Sequence, residues 1–244
     1  GALLSLIAIR VPVGLSLIAV SFVGITYEIS LRAAIGSLAR IPYDLASNWS
    51  FSAIPMFLLM GYVASETGLT SGLFRASRQV LARLPGALAC SSVLASALFA
   101  AASGSSVATA SAMSKIAIPE MLKVGYNKAF AAGVVAAGGT LASLIPPSAI
   151  LVIYAIIVEQ DVGKLLLVGF IPGAFSAVVY AMLIIGIAVI FKSVGPPVSG
   201  FTWRERFESL PPALPIVAVV VIIIFFVYNP FGDAWGTPTE GGAV

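Results

Sequence analysis

Two stretches of this sequence place oxygen-rich, helix-breaking residues inside otherwise apolar runs. The first is Ser103-Gly104-Ser105-Ser106, with Thr109 and Ser111 one or two helical turns beyond. The second is Gly138-Gly139-Thr140-Leu141-Ala142-Ser143-Leu144-Ile145-Pro146-Pro147-Ser148. The paired prolines remove two backbone donors and prevent a continuous helix through that point. The carbonyls and hydroxyls so freed are neutral oxygen ligands, suited to a cation at a half-helix C-terminus, whereas half-helix N-termini suit an anion. A polar, Gly-containing turn between apolar arms is costly in hydrocarbon unless it is buried in protein or lines a wet cavity. For the Ala- and Ser-rich arms around the first stretch, close helix packing by small residues is the simpler reading. For the second stretch, a plain Pro kink or a surface helix–loop–helix connection competes. The two discontinuities together favour a binding site over either one alone.

Other chemistry is scarce. The sequence has no His, which removes imidazole bases and His-based metal sites, and its single Cys90 lies in an apolar run where a small buried thiol is expected. Glu66, Lys115 and Glu120 fall near the ends of apolar segments, where their heads can reach the interface. A relay of buried carboxylates therefore has little support, and neutral oxygens fit a sodium site better. An enzyme would need nucleophile–base pairs or metal ligands, and the sequence offers none, so no catalytic residue and no metal other than sodium is assigned.

Apolar residues make up 59% of the chain and charged residues 9%, with a mean hydropathy of +1.07. A soluble domain carries roughly 25% charged residues, so most of this surface must face lipid or other apolar segments. The net charge of +3 does not indicate nucleic acid, because the basic residues are scattered between apolar segments. The chain starts at Gly1 inside an apolar run and stops at Val244 soon after an expected helix start, so both ends look cut.

Residues 1–9 read as the tail of one span, and Val13 to Tyr27 as a second. Residues 28–49 carry Glu28, Arg32, Arg40 and Asp44 among apolar positions, as an interfacial amphipathic helix does. Ile54 to Ser65 lies in a third span and is followed by a basic amphipathic stretch with Arg75, Arg78 and Arg83. Residues 86–122 form two arms meeting at Ser103-Gly104-Ser105-Ser106, residues 129–157 form an interrupted span, and Leu165–Phe191 and Ala213–Tyr228 are further spans. If 86–122 enters and leaves on one side, ten basic residues share a side (Arg10, Arg75, Arg78, Arg83, Lys115, Lys123, Lys128, Lys192, Arg204 and Arg206). Only Arg32, Arg40 and Lys164 fall opposite, beside Glu28, Asp44, Glu159, Asp161, Asp233 and Glu240. That bias makes the first side cytoplasmic. A re-entrant hairpin and two full spans satisfy it equally. Trp49, Trp203 and Trp235 near span ends suit an aromatic belt.

With those residues in hand, the chain resembles the large membrane subunit, DctM type, of the TRAP (tripartite ATP-independent periplasmic) transporters. Four stretches carry the likeness: Ile54-Pro55-Met56-Phe57-Leu58-Leu59-Met60-Gly61; Val93-Leu94-Ala95-Ser96-Ala97-Leu98-Phe99 running into Ser103-Gly104-Ser105-Ser106-Val107-Ala108; Leu144-Ile145-Pro146-Pro147-Ser148 with Ile153-Tyr154; and Thr237-Pro238-Thr239-Glu240. Their order and spacing match the family across nearly the whole chain. The resemblance implies an all-α polytopic membrane protein, one inverted-repeat half of an elevator fold of the ion-transporter superfamily, with a re-entrant hairpin and a broken transmembrane helix. It implies scaffold and arm-like helices over 1–84, the transport-domain hairpin over 86–122, the broken helix over 126–158, further scaffold spans over 163–228, and the start of a second repeat over 237–244.

The implied activity is uptake of an organic acid anion, such as a C4-dicarboxylate or sialic acid, across the bacterial inner membrane. Sodium is the coupling ion and no other cofactor is expected. The implied partners are a periplasmic substrate-binding protein, a small DctQ-type membrane subunit and membrane lipid, with no nucleic acid. By carry-over, Ser103, Gly139 and Thr140 offer oxygens to sodium, Ser105, Ser106 and Ser148 line the substrate pocket, and Gly104, Pro146 and Pro147 break the helices. A second sodium site and much of the pocket are expected in the other repeat. A dicarboxylate- or arsenite-type permease of similar hairpin architecture is the competing transporter, and Thr237-Pro238-Thr239-Glu240 speaks against it.

Overall fold

The computed structural model describes residues 1–47, 49–191, 211, 214–228 and 236. Every regular element among them is helical, as expected. The chain divides into two units, Gly1–Phe51 and the residues from Ser52 onward. This division falls inside the segment 1–84 that the sequence groups as scaffold and arms.

The first unit holds α1 (Ala2–Ala8), α2 (Val13–Glu28) and α3 (Leu31–Ser47). Helix α2 begins directly after Pro12, whose fixed φ suits a helix start. It is apolar all round and buries only Ser16 within the protein, as a lipid-facing helix does. Helix α3 is amphipathic, and Ser30 accepts a hydrogen bond from the Ala33 N–H at its start (3.1 Å). Its Arg40–Asp44 pair (3.2 Å) is exposed, and such i,i+4 pairs contribute about 0.3–0.5 kcal/mol.

The second unit contains α4 (Ala53–Glu66), α5 (Leu69–Val80), α6 (Ala87–Ser103), α7 (Ser106–Lys123), α8 (Lys128–Thr140), α9 (Ala149–Ile157), α10 (Val162–Ile190) and α11 (Leu214–Tyr228), with a single 3-10 turn at Leu141–Ser143 after α8. Side chains start several of these helices: Asn127 accepts from the N–H groups of Ala129 (2.9 Å) and Phe130 (3.2 Å), and Asp161 accepts from that of Lys164 (2.7 Å).

Helix α6 lies at the centre. Fourteen of its seventeen residues are buried, and α4, α5, α7, α8, α10 and α11 all pack on it. Its composition explains this place: Ala, Ser and small aliphatic residues all round let several neighbours approach, and there is no charged face to keep wet. Phe99, Leu73, Met113, Met121 and Leu141, all fully buried, fill the space between them. Helix α7 runs back along α6, and Tyr126 in the turn after α7 packs in the same cluster as Leu88 and Ala89 at the start of α6. The two helices thus form a hairpin whose ends meet at one end of the unit. Arms of 17 and 18 residues are about 25–27 Å long at 1.5 Å per residue, a little less than the ~30 Å hydrocarbon core. Helix α10 is, among the described residues, the helix long and apolar enough to cross a membrane alone.

The expected elements at 13–27, 28–49, 165–191 and 213–228 correspond to α2, α3, α10 and α11. Residues 192–210 and 237–244, with Trp203, Trp235, the four late charges used for sidedness (Lys192, Arg204, Arg206 and Asp233) and the expected second-repeat start including Glu240, lie outside the described residues.

The central role of α6 sets the first prediction. Phe99→Ala should destabilise the intact permease by about 3–5 kcal/mol, the usual result of opening a cavity at a buried Phe. Leu59→Ala, at a position 60% exposed, should change stability by under about 0.5 kcal/mol. Denaturation in detergent checks both, and equal losses would remove α6 from its central place.

Candidate functional site

The two discontinuities singled out in the sequence meet in space. Helix α6 ends at Ser103, and Gly104 turns the chain in the left-handed region (φ +60°) while its N–H still reaches the Ala100 carbonyl (3.0 Å). Ser105 is extended and starts α7, its Oγ accepting from the Ala108 N–H (3.4 Å). The Gly104 carbonyl then accepts the N–H of Ala149, the first residue of α9 (3.2 Å). The hairpin tip is therefore pinned to the far side of the break between α8 and α9. The contact is close enough that a Cβ at Gly104 would sit 2.8 Å from the Pro147 carbonyl oxygen. Left-handed φ and close approach both require glycine here.

The break is braced from within. After the 3-10 turn, the chain passes through the buried Pro146 and Pro147, joined by a cis peptide bond, to Ser148. The Ser148 hydroxyl donates to the Ser143 carbonyl (3.0 Å) and accepts the Leu151 N–H (3.4 Å), capping α9 while holding the loop closed. Helix α10 approaches through Gly169 and Gly173: a Cβ at the first would lie 2.7 Å from the Leu144 carbonyl oxygen, and at the second 2.7 Å from Ile145 Cγ1. This Gly-x-x-x-Gly spacing permits helix backbones to come close.

Tip and break thus bring together the C-terminus of α6 and the N-termini of α7 and α9. Among the described residues, no hydrogen-bond donor reaches the carbonyls of Ala101, Ala102 or Ser103. All three residues are at least 96% buried. Terminal carbonyls carry the negative end of the helix dipole, so this is a place where a bare cation is stabilised. The α7 N-terminus beside them presents N–H groups to an anion. No group of three or more His, Cys, Asp or Glu that could hold a metal occurs among the described residues, so the ligands on offer are neutral oxygens.

The sequence-designated residues separate into two groups. Ser103, Gly104, Ser105, Pro147 and Ser148 converge at the tip, with Ser106 half-buried at the first position of α7 and Pro146 buried in the break. Ser103 is fully enclosed, its hydroxyl pairs with that of Thr109 (2.6 Å), and no donor among the described residues reaches its carbonyl. Gly139 is buried one turn before the break, where a Cβ would lie 2.7 Å from Ala110 Cβ on α7. The Thr140 side chain is exposed, donating to the Ala137 carbonyl (2.6 Å) and meeting the Tyr180 hydroxyl of α10 (3.1 Å). No described contact joins Ser103, Gly139 and Thr140 at one point.

Sequence reasoning did not assign Gly61, Gly169, Gly173 or Tyr180 to this region. A Cβ at Gly61 on α4 would lie 2.5 Å from Ser103 Cα, so the tip rests on that glycine. The Gly169–Gly173 spacing was a readable signal, but the partners of Gly61 and Tyr180 are distant in sequence and left none.

Comparison with known proteins gives a consistent result. The family described as tripartite ATP-independent periplasmic transporter, DctM component, matches residues 1–244. A C4-dicarboxylate TRAP transporter large permease protein of Pseudomonas aeruginosa is 37% identical over 86% of this chain and 48% of its own. The sialic acid TRAP transporter large permease protein of Vibrio cholerae is 31% identical over 99% of this chain and 55% of its own. The isethionate TRAP transporter permease protein DctMQ of Oleidesulfovibrio alaskensis is 32% identical over 72% of this chain and 27% of its own. The chain spans about half the length of the first two relatives.

Gly104 provides a test of the tip. Gly104→Ala should lower stability by more than the roughly 1–2 kcal/mol of a left-handed alanine alone, because the methyl also meets the Pro147 carbonyl. Gly68→Ala, equally left-handed (φ +76°) with its nearest neighbouring atom at 3.9 Å, should show only the backbone cost. Thermal unfolding of the two variants side by side measures the difference, and equal losses would mean that tip and break are not tightly joined.

Proposed function

The chain belongs to the DctM component family of the tripartite ATP-independent periplasmic transporters, and on that premise we propose that it supplies one ion- and substrate-binding half of a sodium-driven organic-anion permease. Membership makes it a membrane-integral transporter component. Uptake, substrate and partners are proposed for the whole permease, of which this chain matches about half.

The observation that carries the proposal is the junction of hairpin tip and broken helix, closed by the Ala149 N–H to Gly104 carbonyl bond. Sodium sits against the terminal carbonyls of α6, with the Ser103 carbonyl as the central ligand, while Gly139 and Thr140 meet Ser103 in no described contact and the Thr140 carbonyl already accepts from Ser143 Oγ (2.7 Å). The substrate carboxylate faces the N-termini of α7 and α9, oriented by Ser105, Ser106 and Ser148. Neutral oxygens make the ion site useful for coupling: an occupying sodium is the only full charge, so it attracts the anionic substrate and its loss releases both. Carrying that junction across as a rigid body is an elevator step, with the α6–α7 hairpin re-entrant from the cytoplasmic side.

Several observations support this orientation. Arg78 of α5 pairs with Glu120 near the end of α7, and Arg75, Lys115 and Lys123 line the same opening, which supports placing these four basic residues on one side. The relatives' names include C4-dicarboxylate, sialic acid and isethionate, all organic acids. An organic acid anion is the proposed substrate here, delivered by a periplasmic binding protein, with a DctQ-type small subunit completing the multi-pass complex in the bacterial inner membrane.

In proteoliposomes holding the intact permease and its partners, replacing the sodium gradient with potassium should abolish uptake. Ser103→Ala, which breaks the buried pair with Thr109, should weaken the sodium dependence by about 2- to 10-fold, the worth of one hydrogen bond. Thr140→Ala, at an exposed hydroxyl, should have the smaller effect. Uptake at full rate without a sodium gradient would sink the coupling mechanism.

A further inference from the structure

At the end of the second unit away from the tip, α5 and the last two turns of α7 enclose an open cleft of about 420 Å³, within the roughly 300–1,000 Å³ of small-molecule clefts. Four cations line it, Arg75 and Arg78 from α5 and Lys115 and Lys123 from α7, against a single acid, Glu120. Glu120 is already fully engaged: its Oε2 accepts from Arg78 (3.1 Å) and its Oε1 from Lys123 (2.7 Å). Arg75 and Lys115 have no carboxylate partner among the described residues and are both exposed. Two helices thus hold a pair of uncompensated cations at one opening, with the Glu120 bridge fixing α5 against α7.

The height of the cleft along the helices identifies its ligand. From Ser106 to Ser114, α7 carries only apolar and hydroxyl residues, and its charges begin at Lys115. Helix α5 is amphipathic, burying Leu73 and Phe74 against the core while Arg75 points outward. Phe74, Ile116 and Pro119 give the cleft an apolar wall beside its cations. An amphipathic basic helix over an apolar-to-charged transition marks the headgroup level of a membrane. We propose that this cleft binds the phosphodiester headgroup of an anionic phospholipid of the cytoplasmic leaflet, with Arg75 and Lys115 as its phosphate ligands. The lipid would bridge α5 and the last turns of α7 at the headgroup level. The inference rests on the membrane placement of the chain, not on its substrate or coupling ion.

Lipid binding to the intact permease in detergent micelles tests this without any uptake assay. Phosphatidylglycerol or phosphatidylcholine is titrated in, and bound lipid is counted by native mass spectrometry alongside the shift in unfolding temperature. Phosphatidylglycerol should bind saturably and phosphatidylcholine should not. At about fivefold per cation near a membrane surface, Arg75→Gln with Lys115→Gln should weaken phosphatidylglycerol binding roughly 20- to 30-fold. The charge-matched pair Lys128→Gln with Lys164→Gln should change it by less than about twofold. The charge-preserving pair Arg75→Lys with Lys115→Arg should retain saturable binding, which keeps the test decisive if the neutral variant fails to fold. Equal losses in the two glutamine pairs would reduce the cleft to general surface charge and overturn the proposal. So would equal binding of the two lipids, or displacement of phosphatidylglycerol by millimolar inorganic phosphate, which would make it a site for soluble anions.

Discussion

Backbone polar groups freed by a break in a helix have no water to turn to inside hydrocarbon, and an unpaired one costs several kcal/mol. Tip and break in this protein each create such groups, and each is built to meet the other. The Gly104 carbonyl takes the first N–H of α9, Ser148 closes its own loop onto Ser143, and Ser105 caps α7. Among the described residues, the carbonyls of Ala101, Ala102 and Ser103 at the end of α6 are among the groups that no donor reaches. Those buried α6 carbonyls are the oxygens on which the proposed sodium site rests.

That constraint spreads outward through packing. For the tip to reach the break, α6 must lie in the middle of its neighbours, which is possible only because it carries small residues on every side. For α4 to support the tip, residue 61 has to be glycine, and for α10 to approach the break, residues 169 and 173 have to be. Protein interiors transmit such demands because they are close-packed. The exposed apolar side chains of α2, α4 and α10 meet no comparable packing requirement, as on a surface facing lipid.

The elements themselves were legible in the sequence. Apolar length placed α2, α10 and α11, amphipathic charge placed α3 and α5, and turn chemistry placed the hairpin tip and the Pro-Pro break, because each is a local property of the chain. The tip residues Ser103, Gly104 and Ser105 and the cap Ser148 were legible for the same reason: Ser and Gly between apolar arms have few other uses. Thr140 shows where local reading stops. It sits in a stretch that reads as ligand, yet its hydroxyl turns toward Tyr180, forty residues on.

By itself the sequence determined that this is a helical membrane protein, where its helices break, and which family it belongs to. These follow from hydropathy, proline and glycine chemistry, and motif order, all of which act over a few neighbouring residues. Only the tertiary structure decided that the two breaks form one junction, that the Ser103 hydroxyl pairs with Thr109, and that Gly61 bears the tip. It also decided that Arg75 and Lys115, forty residues apart, share a cleft. Those are distances between segments remote in the chain, and no local pattern encodes which face of one helix will meet which face of another.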